Sequence, residues 1–410
     1  MSPDSFAETI EAHGCSISLR RVDGPDALEL FLSCQPPTEA TEASAQAAAI
    51  YRAIEDTLAA EGGSFESVVA ETVFLRNLRA DIEAVREARQ QVLAAHEGSC
   101  NPAITEIQQP PLNHGAGLEV LVQAVLPTVA PSRFEMFRAN PTCPCAECAR
   151  TSGLRVHVGE EVRFYAGAIY GAGDDAYQQT LALFEAAENL LQQAGMAFSD
   201  VMRTWIYIPE MERDYPGLNR GRREFFAARG IDPIPASTGI GAGLVPAEHA
   251  IGLGVYAVQA ADPGAAPTER TVMTTPTLNE APVYGSDFSR GMRIEEANKI
   301  ALHISGTASL DESGATVHLD DFEAQAERML VNVAALLEGQ GASFGDVVSA
   351  ITYLKHPDDA ARLRQKFREA GYEGFPNVLV EAPVCRPELL CETEALAVLP
   401  RTAEPKSGTV

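Results

Sequence analysis

The chain has 410 residues, with 31 basic against 57 acidic side chains and a net charge of −26 at neutral pH. Such a surface repels a phosphate backbone or an anionic membrane, so we predict neither nucleic acid nor membrane as a partner. No apolar run approaches the ~20 residues that cross a bilayer, and residues 1–8 lack the pattern of a secretory signal. Eight unevenly spaced cysteines do not suggest a disulfide framework, so we predict a cytoplasmic protein.

One sequence pattern occurs three times, at 63–75, 196–208 and 342–354. Each copy has a Phe in its first residues and then a run rich in apolar and β-branched residues. The copies are about 130 to 150 residues apart, and a period of that length indicates repeated domains rather than a solenoid.

The same predicted elements surround each copy of the pattern, in the same order. Alternating apolar and polar residues predict hairpins at 16–33, 155–170 and 299–310. Apolar residues spaced three and four apart predict helices before the repeated strand, clearest at 176–193 and 322–337. Second helices are predicted at 81–96, 215–229 and 358–370. Gly230 and Gly371 are positioned to end the last two, and final strands follow at 118–126, 251–258 and 389–399.

The order ββαβαβ predicts an α+β fold, in which a mixed sheet carries both helices on one face. Three such units can bury their other sheet faces against each other in a pseudo-threefold body. We therefore expect a monomer with internal symmetry or a small homo-oligomer. The predicted division is repeats at 1–127, 151–262 and 263–400, a cysteine-containing connection at 128–150, and a disordered tail at 401–410.

Several polar residues lie at the start of the last predicted strand. Cys385, Arg386, Glu392 and Glu394 fall within ten residues, and alternation places both glutamates on one face of the strand. A carboxylate at the start of an apolar strand either points into water or belongs to a site. The pattern alone leaves both interpretations open.

The repeated unit resembles the RidA (YjgF) family, and copies 2 and 3 together resemble the chorismatases, which are built on RidA-like domains. The segments that carry this resemblance are 205–209, 219–222, 235–241, 288–290, 305–309 and 385–392. The resemblance implies a site in a cleft between repeats and an anionic small-molecule substrate, chorismate. It also implies cleavage of the enol ether of chorismate to pyruvate and an aromatic or dihydroaromatic acid, with no cofactor required for catalysis.

Glu392 matches the catalytic Glu of that family. Cleavage of the enol ether requires a proton on the methylene carbon, and desolvation can bring the pKa of a carboxyl close to neutrality. Cys385, seven residues earlier, resembles the branch that forms 3-hydroxybenzoate, and we predict a catalytic role for it. A small buried apolar residue is the alternative for this cysteine.

Two substrate carboxylates call for planar donors that are always charged. The arginines inside matching motifs are Arg222, Arg290 and Arg386. Arg222 also fits a solvated helix face. Tyr207 is a candidate donor to the substrate hydroxyl, with a packed phenol as its alternative. Ser305 and Thr307 flank Gly306, where backbone can approach a ligand closely, and we predict both as pocket residues.

Cys143, Cys145 and Cys148 form a separate cluster in the predicted connection, with His157 nearby. Three thiols at spacings of two and three can bind a structural zinc, with Cys100 or a histidine as fourth ligand. Free thiols, or a redox role, are the alternatives.

The copies are not equal at the position of Glu392. Copy 1 has Glu119, while copy 2 has the apolar run 251–255, which predicts one working cleft, between copies 2 and 3.

A RidA-type imine or enamine deaminase is a second hypothesis for the function. Its characteristic arginine falls at Val378 and Ser237 here, which argues against it. A non-catalytic binding scaffold is the third.

Overall fold

The fold is described from a computed structural model that covers residues 7–96, 102–130, 132–139, 143, 145–262, 264–265, 267–296, 299–372 and 374–401. Cys100 and most of the predicted tail, 402–410, lie outside the described residues. Within these ranges the chain forms three copies of an α+β unit, each with a six-stranded sheet and two helices.

The helices and strands follow the same order in each copy. Copy 1 contains β1 (Glu8–Ala12), β2 (Cys15–Asp23), β3 (Ala27–Gln35), α1 (Ala43–Ala60), β4 (Val68–Leu75), α2 (Leu78–Val92), β5 (Ala103–Gln108) and β6 (Leu118–Pro127). Copy 2 contains β7 (Ser132–Arg138), β8 (Ser152–Val158), β9 (Glu161–Ile169), α3 (Ala176–Gln193), β10 (Val201–Ile208), α4 (Met211–Arg229), β11 (Ala236–Gly241) and β12 (Gly252–Ala260). Copy 3 contains β13 (Glu269–Val272), β14 (Gly291–Glu295), β15 (Lys299–Ala308), α5 (Phe322–Glu338), β16 (Val347–Leu354), α6 (Ala360–Glu369), β17 (Asn377–Glu381) and β18 (Cys391–Pro400).

The three sheets share one topology. The strand orders are β1-β2-β3-β6-β4-β5, β7-β8-β9-β12-β10-β11 and β13-β14-β15-β18-β16-β17. The pairs β4–β5, β10–β11 and β16–β17 are parallel because a helix crosses over between their strands. The tripled α+β fold predicted from the sequence is confirmed.

The predicted hairpin at 299–310 is wrong. Residues 299–308 form the single strand β15, and its hairpin partner is β14, which lies upstream and pairs Gly291 with Ile304. Each copy also has two strands that the ββαβαβ order lacks. One is the short strand parallel to the repeated strand. The other is an edge strand, and in copies 2 and 3 this strand falls in Pro-rich stretches that lack an alternating pattern.

The repeated Phe has a structural reason. Phe65, Phe198 and Phe344 each begin a short 3-10 turn before the repeated strand, and all three are buried. Ser64 and Ser343 cap two of these turns by accepting a backbone N–H. The turn therefore anchors the strand against its own helices, which explains why the pattern recurs.

Each sheet packs its helices on one face, and the opposite faces meet at the centre of the molecule. A buried ion network joins the copies there. Arg163 Nη1 of copy 2 lies 2.7 Å from Glu29 Oε1 of copy 1, and its Nη2 lies 2.8 Å from Glu296 Oε2 of copy 3. Burial alone would raise the pKa of Glu29, but Arg163 and Lys299 lower it to about 2. Glu29 is therefore ionised, and the network ties the three copies together.

Across the described part of the chain, no helix has both the length and the apolar character needed to cross a membrane.

Candidate functional site

Three of the polar residues around the start of β18, Cys385, Arg386 and Glu392, lie in a cleft between copies 2 and 3. Glu392 pairs with Tyr353 of β16 and with Ala308 of β15. It lines a cavity of about 230 Å³, which we call the Glu392 cleft. The lining residues are Tyr215, Asn219, Gly285, Ser286, Phe288, Arg290, Gly306, Ala308, Leu310, Cys385, Arg386, Leu389 and Glu392.

Glu392 is a buried carboxyl rather than a solvated one, with 4% of its surface exposed. Burial raises its pKa to about 8, and the Glu394 carboxylate adds to the rise, although Arg290 and Arg203 oppose it. Glu392 therefore holds its proton at neutral pH and can donate it inside the cleft.

Gly306 makes room for that carboxyl. β15 has a bulge between Ile304 and Thr307, and there Glu392 Oε1 lies 2.1 Å from where a Cβ on Gly306 would stand. The Gly306 N–H donates to Thr238 Oγ1 at 2.9 Å, so β11 of copy 2 fixes the bulge. Any side chain at position 306 would displace the acid.

Two arginines line the same cavity. Arg290 is buried, and its Nε donates to the Asn279 carbonyl at 2.9 Å. Arg386 Nη1 donates to the Gly314 carbonyl at 2.7 Å. Each guanidinium is thus held by a backbone carbonyl of copy 3. Two cationic groups and a neutral acid therefore line the same cavity.

Cys385 also lines the cavity. Burial raises the pKa of its thiol to about 12, with the Glu392 carboxylate adding to the rise and Arg386 and Arg290 opposing it. The side chain is therefore a neutral thiol at physiological pH, suited to shaping the cavity and not to acting as a thiolate nucleophile.

Arg222 lies behind the cavity wall. Its Nη2 donates to Asn219 Oδ1 at 2.8 Å, and its guanidinium lies 5.8 Å from the centre of the Phe288 ring. Arg222 is buried, so it is not a solvated helix residue, and it positions Asn219. Sequence reasoning missed Tyr215 and Asn219 as site residues. The usable signal was their spacing of four on α4, which puts both on one helix face.

Tyr207, Ser305 and Thr307 are not among the residues that line this cavity. Tyr207 lines a second cavity, of about 140 Å³, among the three sheets at the centre. Ser305 Oγ donates to the Ser289 carbonyl at 2.6 Å, and Thr307 Oγ1 to the Ser305 carbonyl at 2.9 Å. The two hydroxyls therefore shape the strand around Gly306.

Glu394 faces the central cavity. Its carboxylate accepts hydrogen bonds from Arg203 Nη2 at 2.9 Å and from Trp205 Nε1 at 2.7 Å, both on β10 of copy 2. Glu394 thus joins copies 2 and 3 and contributes a negative charge that helps keep Glu392 protonated.

The other two copies place different residues at the Glu392 position. In copy 1, Glu119 pairs with Phe74 as Glu392 pairs with Tyr353. In copy 2 the corresponding residue is Gly252, paired with Tyr207. We call these regions the Glu119 cleft and the Gly252 cleft.

The three predicted thiol ligands do come together. The Sγ atoms of Cys143, Cys145 and Cys148 lie 3.6, 3.9 and 3.4 Å from His249 Nε2. The nearby histidine in the sequence, His157, instead places its Nε2 3.2 Å from the Gly159 carbonyl. The histidine of this cluster thus comes from a loop far along the chain, which the local spacing could not indicate.

Comparison with known proteins adds three findings. The endoribonuclease L-PSP family profile matches residues 30–126, 162–259 and 279–399. A 3-hydroxybenzoate synthase from Streptomyces hygroscopicus is 26% identical over 316 residues, covering 71% of this chain and 88% of that protein. A RutC family protein from Pyrococcus abyssi is 32% identical over 97 residues, covering 23% of this chain and 76% of that protein.

Among solved structures, a chorismatase crystal structure superposes with a TM-score of 0.59 at 19% identity, covering 81% of this chain and 93% of that one. This similarity confirms the fold that the resemblance to chorismatases implied. The three profile matches coincide with the three structural copies and together cover most of the chain. The chain therefore belongs to the endoribonuclease L-PSP family and carries the family's domain three times.

Proposed function

We propose that the protein cleaves the enol ether of chorismate, releasing pyruvate and an aromatic or dihydroaromatic acid, with 3-hydroxybenzoate as the expected aromatic product. One observation carries the proposal. A buried Glu392 with a pKa of about 8 shares a cavity with Arg290 and Arg386. The similarity to a 3-hydroxybenzoate synthase, which aligns over 88% of its own length, supports the choice of product.

The first step requires a proton donor at neutral pH. Glu392 gives its proton to the terminal methylene carbon of the enol ether, whose π electrons form the new C–H bond and leave an oxocarbenium ion. The resulting carboxylate is stabilised by Arg290 and Arg203, the charges that favour its ionised form. Because Glu392, Arg290 and Arg203 are themselves buried, these charges act with little screening by water.

Water then adds to the oxocarbenium carbon, the ether bond breaks, and pyruvate leaves. As the hemiketal breaks down, its hydroxyl proton passes to the ether oxygen, which remains on the ring as a hydroxyl group and gives a dihydrodiol acid. The proton that the added water releases returns to Glu392 and restores the acid. Loss of water from the ring would then give a hydroxybenzoate, so the aromatic route has no net consumption of water. This atom balance calls for no redox cofactor.

Two arginines bind the carboxylates of the substrate in this proposal. Chorismate carries two carboxylates, and Arg290 and Arg386 present two guanidiniums at the cavity wall. Arg222 holds Asn219, another residue that lines the cavity. Cys385, as a neutral thiol, contributes shape next to the acid and can influence which ring product forms.

The test is incubation of the purified protein with chorismate, with pyruvate and the ring product identified by mass spectrometry and NMR. Wild type is expected to consume chorismate, and Glu392→Gln to leave it intact while still binding it. A folded wild-type protein that leaves chorismate unchanged would overturn the proposal. Ammonia release from 2-aminoacrylate would instead favour a deaminase, and ligand binding without turnover by wild type would favour a scaffold.

A further inference from the structure

A four-residue cluster outside the Glu392 cleft has the composition of a metal site. Cys143, Cys145 and Cys148 lie in the connection between β7 and β8, and His249 lies in the loop between β11 and β12. Their ligand atoms all fall within 4.8 Å of one another. We propose that these four residues bind one structural Zn²⁺ ion.

The distances fit tetrahedral zinc. Zn–S bonds of about 2.3 Å and Zn–N bonds of about 2.0 Å, arranged tetrahedrally, place neighbouring ligand atoms roughly 3.5 to 3.8 Å apart. The three sulfur atoms lie 3.4 to 3.9 Å from His249 Nε2. His249 Nε2 thus lies at similar distances from the three sulfur atoms, close to those that a shared zinc ion requires.

The surroundings support a structural rather than a catalytic ion. Cys148 and His249 are buried, with 1% and 4% of their surface exposed. The Cys148 N–H points to Cys145 Sγ at 3.3 Å, a contact that would offset negative charge on a thiolate. The Tyr170 ring packs on the imidazole at 4.9 Å between centres. Four protein ligands would leave no position for substrate or water.

Ligand chemistry selects zinc among common divalent ions. Three thiolates and one imidazole are soft and borderline ligands, which suit Zn²⁺ and disfavour Mg²⁺ and Ca²⁺. Loss of the three thiol protons on binding would give the ligand set a charge of −3, so the bound ion would leave a net charge of −1.

The location explains what the ion would hold together. Glu147, between two of the thiol ligands, accepts hydrogen bonds from Arg86 Nη1 and Nη2 at 3.0 and 2.7 Å. Arg86 belongs to α2 of copy 1, whereas His249 belongs to copy 2. The ion would therefore fasten the connection to copy 2 and, through Glu147, to copy 1.

Metal analysis tests this directly. The full-length protein, loaded with zinc and desalted, is expected to contain about one zinc per chain by elemental analysis. Replacement by Co²⁺ is expected to give the visible bands of a tetrahedral ion and thiolate-to-cobalt charge transfer. Chelation should lower the melting temperature, and Zn²⁺, but not Mg²⁺, should restore it. Wild type without bound zinc after loading, or with an octahedral cobalt spectrum, would overturn the proposal.

Matched variants locate the ion. His249→Ala and Cys148→Ser are expected to lose most of the zinc, whereas His157→Ala, which removes a nearby histidine outside the cluster, should keep it. Equal zinc in all three variants would place the metal elsewhere and contradict the assignment. The cobalt spectrum of wild type decides the question even if a ligand variant fails to fold.

Discussion

Glu392 and Glu119 occupy the same position in copies 3 and 1, and burial raises the pKa of both carboxyls to about 8. Their surroundings differ. Glu119 Oε1 accepts a hydrogen bond from Asn113 Nδ2 at 2.6 Å, and Asn113 Oδ1 accepts one from Arg364 Nη2 at 2.7 Å. Asn113 therefore stands between the acid and the arginine of copy 3. In the Glu392 cleft, the acid and two arginines share an open cavity instead.

Under the proposed mechanism, a raised pKa is therefore not enough to make a catalytic acid. Both glutamates carry a proton at neutral pH, but the proposed chemistry needs space for a substrate and donors for its carboxylates. In the Gly252 cleft the acid itself is missing, because a glycine occupies the position of Glu392. A Cβ on Gly252 would lie 3.2 Å from the Tyr170 ring, so that cleft is crowded where the acid would stand.

The largest expected effect is a difference in activity between variants of Glu392 and of Glu119. Glu392→Gln removes the proposed proton donor, and we expect kcat for pyruvate release to fall by about 10²- to 10⁴-fold. Glu119→Gln is the matched control and should stay within about twofold of wild type, because that acid meets no substrate. Steady-state rates of pyruvate formation measure both. Equal losses of pyruvate formation in the two variants would contradict the proposal that only the Glu392 cleft is catalytic.

A substitution at Gly306 tests the position of the acid without removing it. The new methyl group of Gly306→Ala would meet Glu392 Oε1, so we expect about a 10²-fold loss of kcat/KM from misplacement of the acid. Gly345→Ala is the control, since its Cβ would approach only Ser343 Oγ, at 3.3 Å. Circular dichroism checks that both variants fold. Full activity of Gly306→Ala would show that the close contact has no catalytic role.

The arginines give a smaller effect, mainly on binding. Arg386→Lys keeps the charge but loses the planar pair of donors, so we expect KM for chorismate to rise by about 10-fold, with a smaller change in kcat. Arg364→Lys makes the corresponding change beside Glu119 and should leave KM unaltered. A rise in KM for Arg364→Lys, with no change for Arg386→Lys, would place the substrate in the Glu119 cleft.

The last prediction concerns stability rather than activity. The pKa of Glu119 is raised from 4.5 to about 8 in the folded chain. Its contribution to the free energy of unfolding is therefore fully present below pH 4.5 and is lost as the pH rises through 8, at up to about 1.4 kcal/mol per pH unit. Glu119→Gln should flatten this decline in denaturant unfolding measured from pH 5 to 8. An unchanged slope would mean that Glu119 ionises normally.

Much of the fold was accessible from the sequence because the repeated Phe turn and the helix periodicity reflect local burial. The helix at 176–193 was predicted with the bounds observed for α3. The strand β17, of five residues, was missed because it is too short to show a pattern. The edge strands β7 and β13 were missed because Pro-rich flanking sequence hides their pairing.

The site was only partly accessible. Glu392, Cys385, Arg290 and Arg386 were found through motif resemblance, and the structure brings them to one cavity. The placement of Tyr207 depends on how three sheets pack, which no local pattern encodes. His249 was missed for a similar reason, since about a hundred residues separate it from the thiols and only the fold brings them together.

The pH dependence of pyruvate release from chorismate tests the central claim most directly, because it reports the protonation state in which Glu392 acts. The account predicts that kcat/KM is constant near pH 6 to 7 and falls about tenfold per unit above pH 8, as the carboxyl with a pKa of about 8 loses its proton. A rate that rises through pH 8 would show that the carboxylate acts as a base, and would contradict the assignment of Glu392 as the general acid.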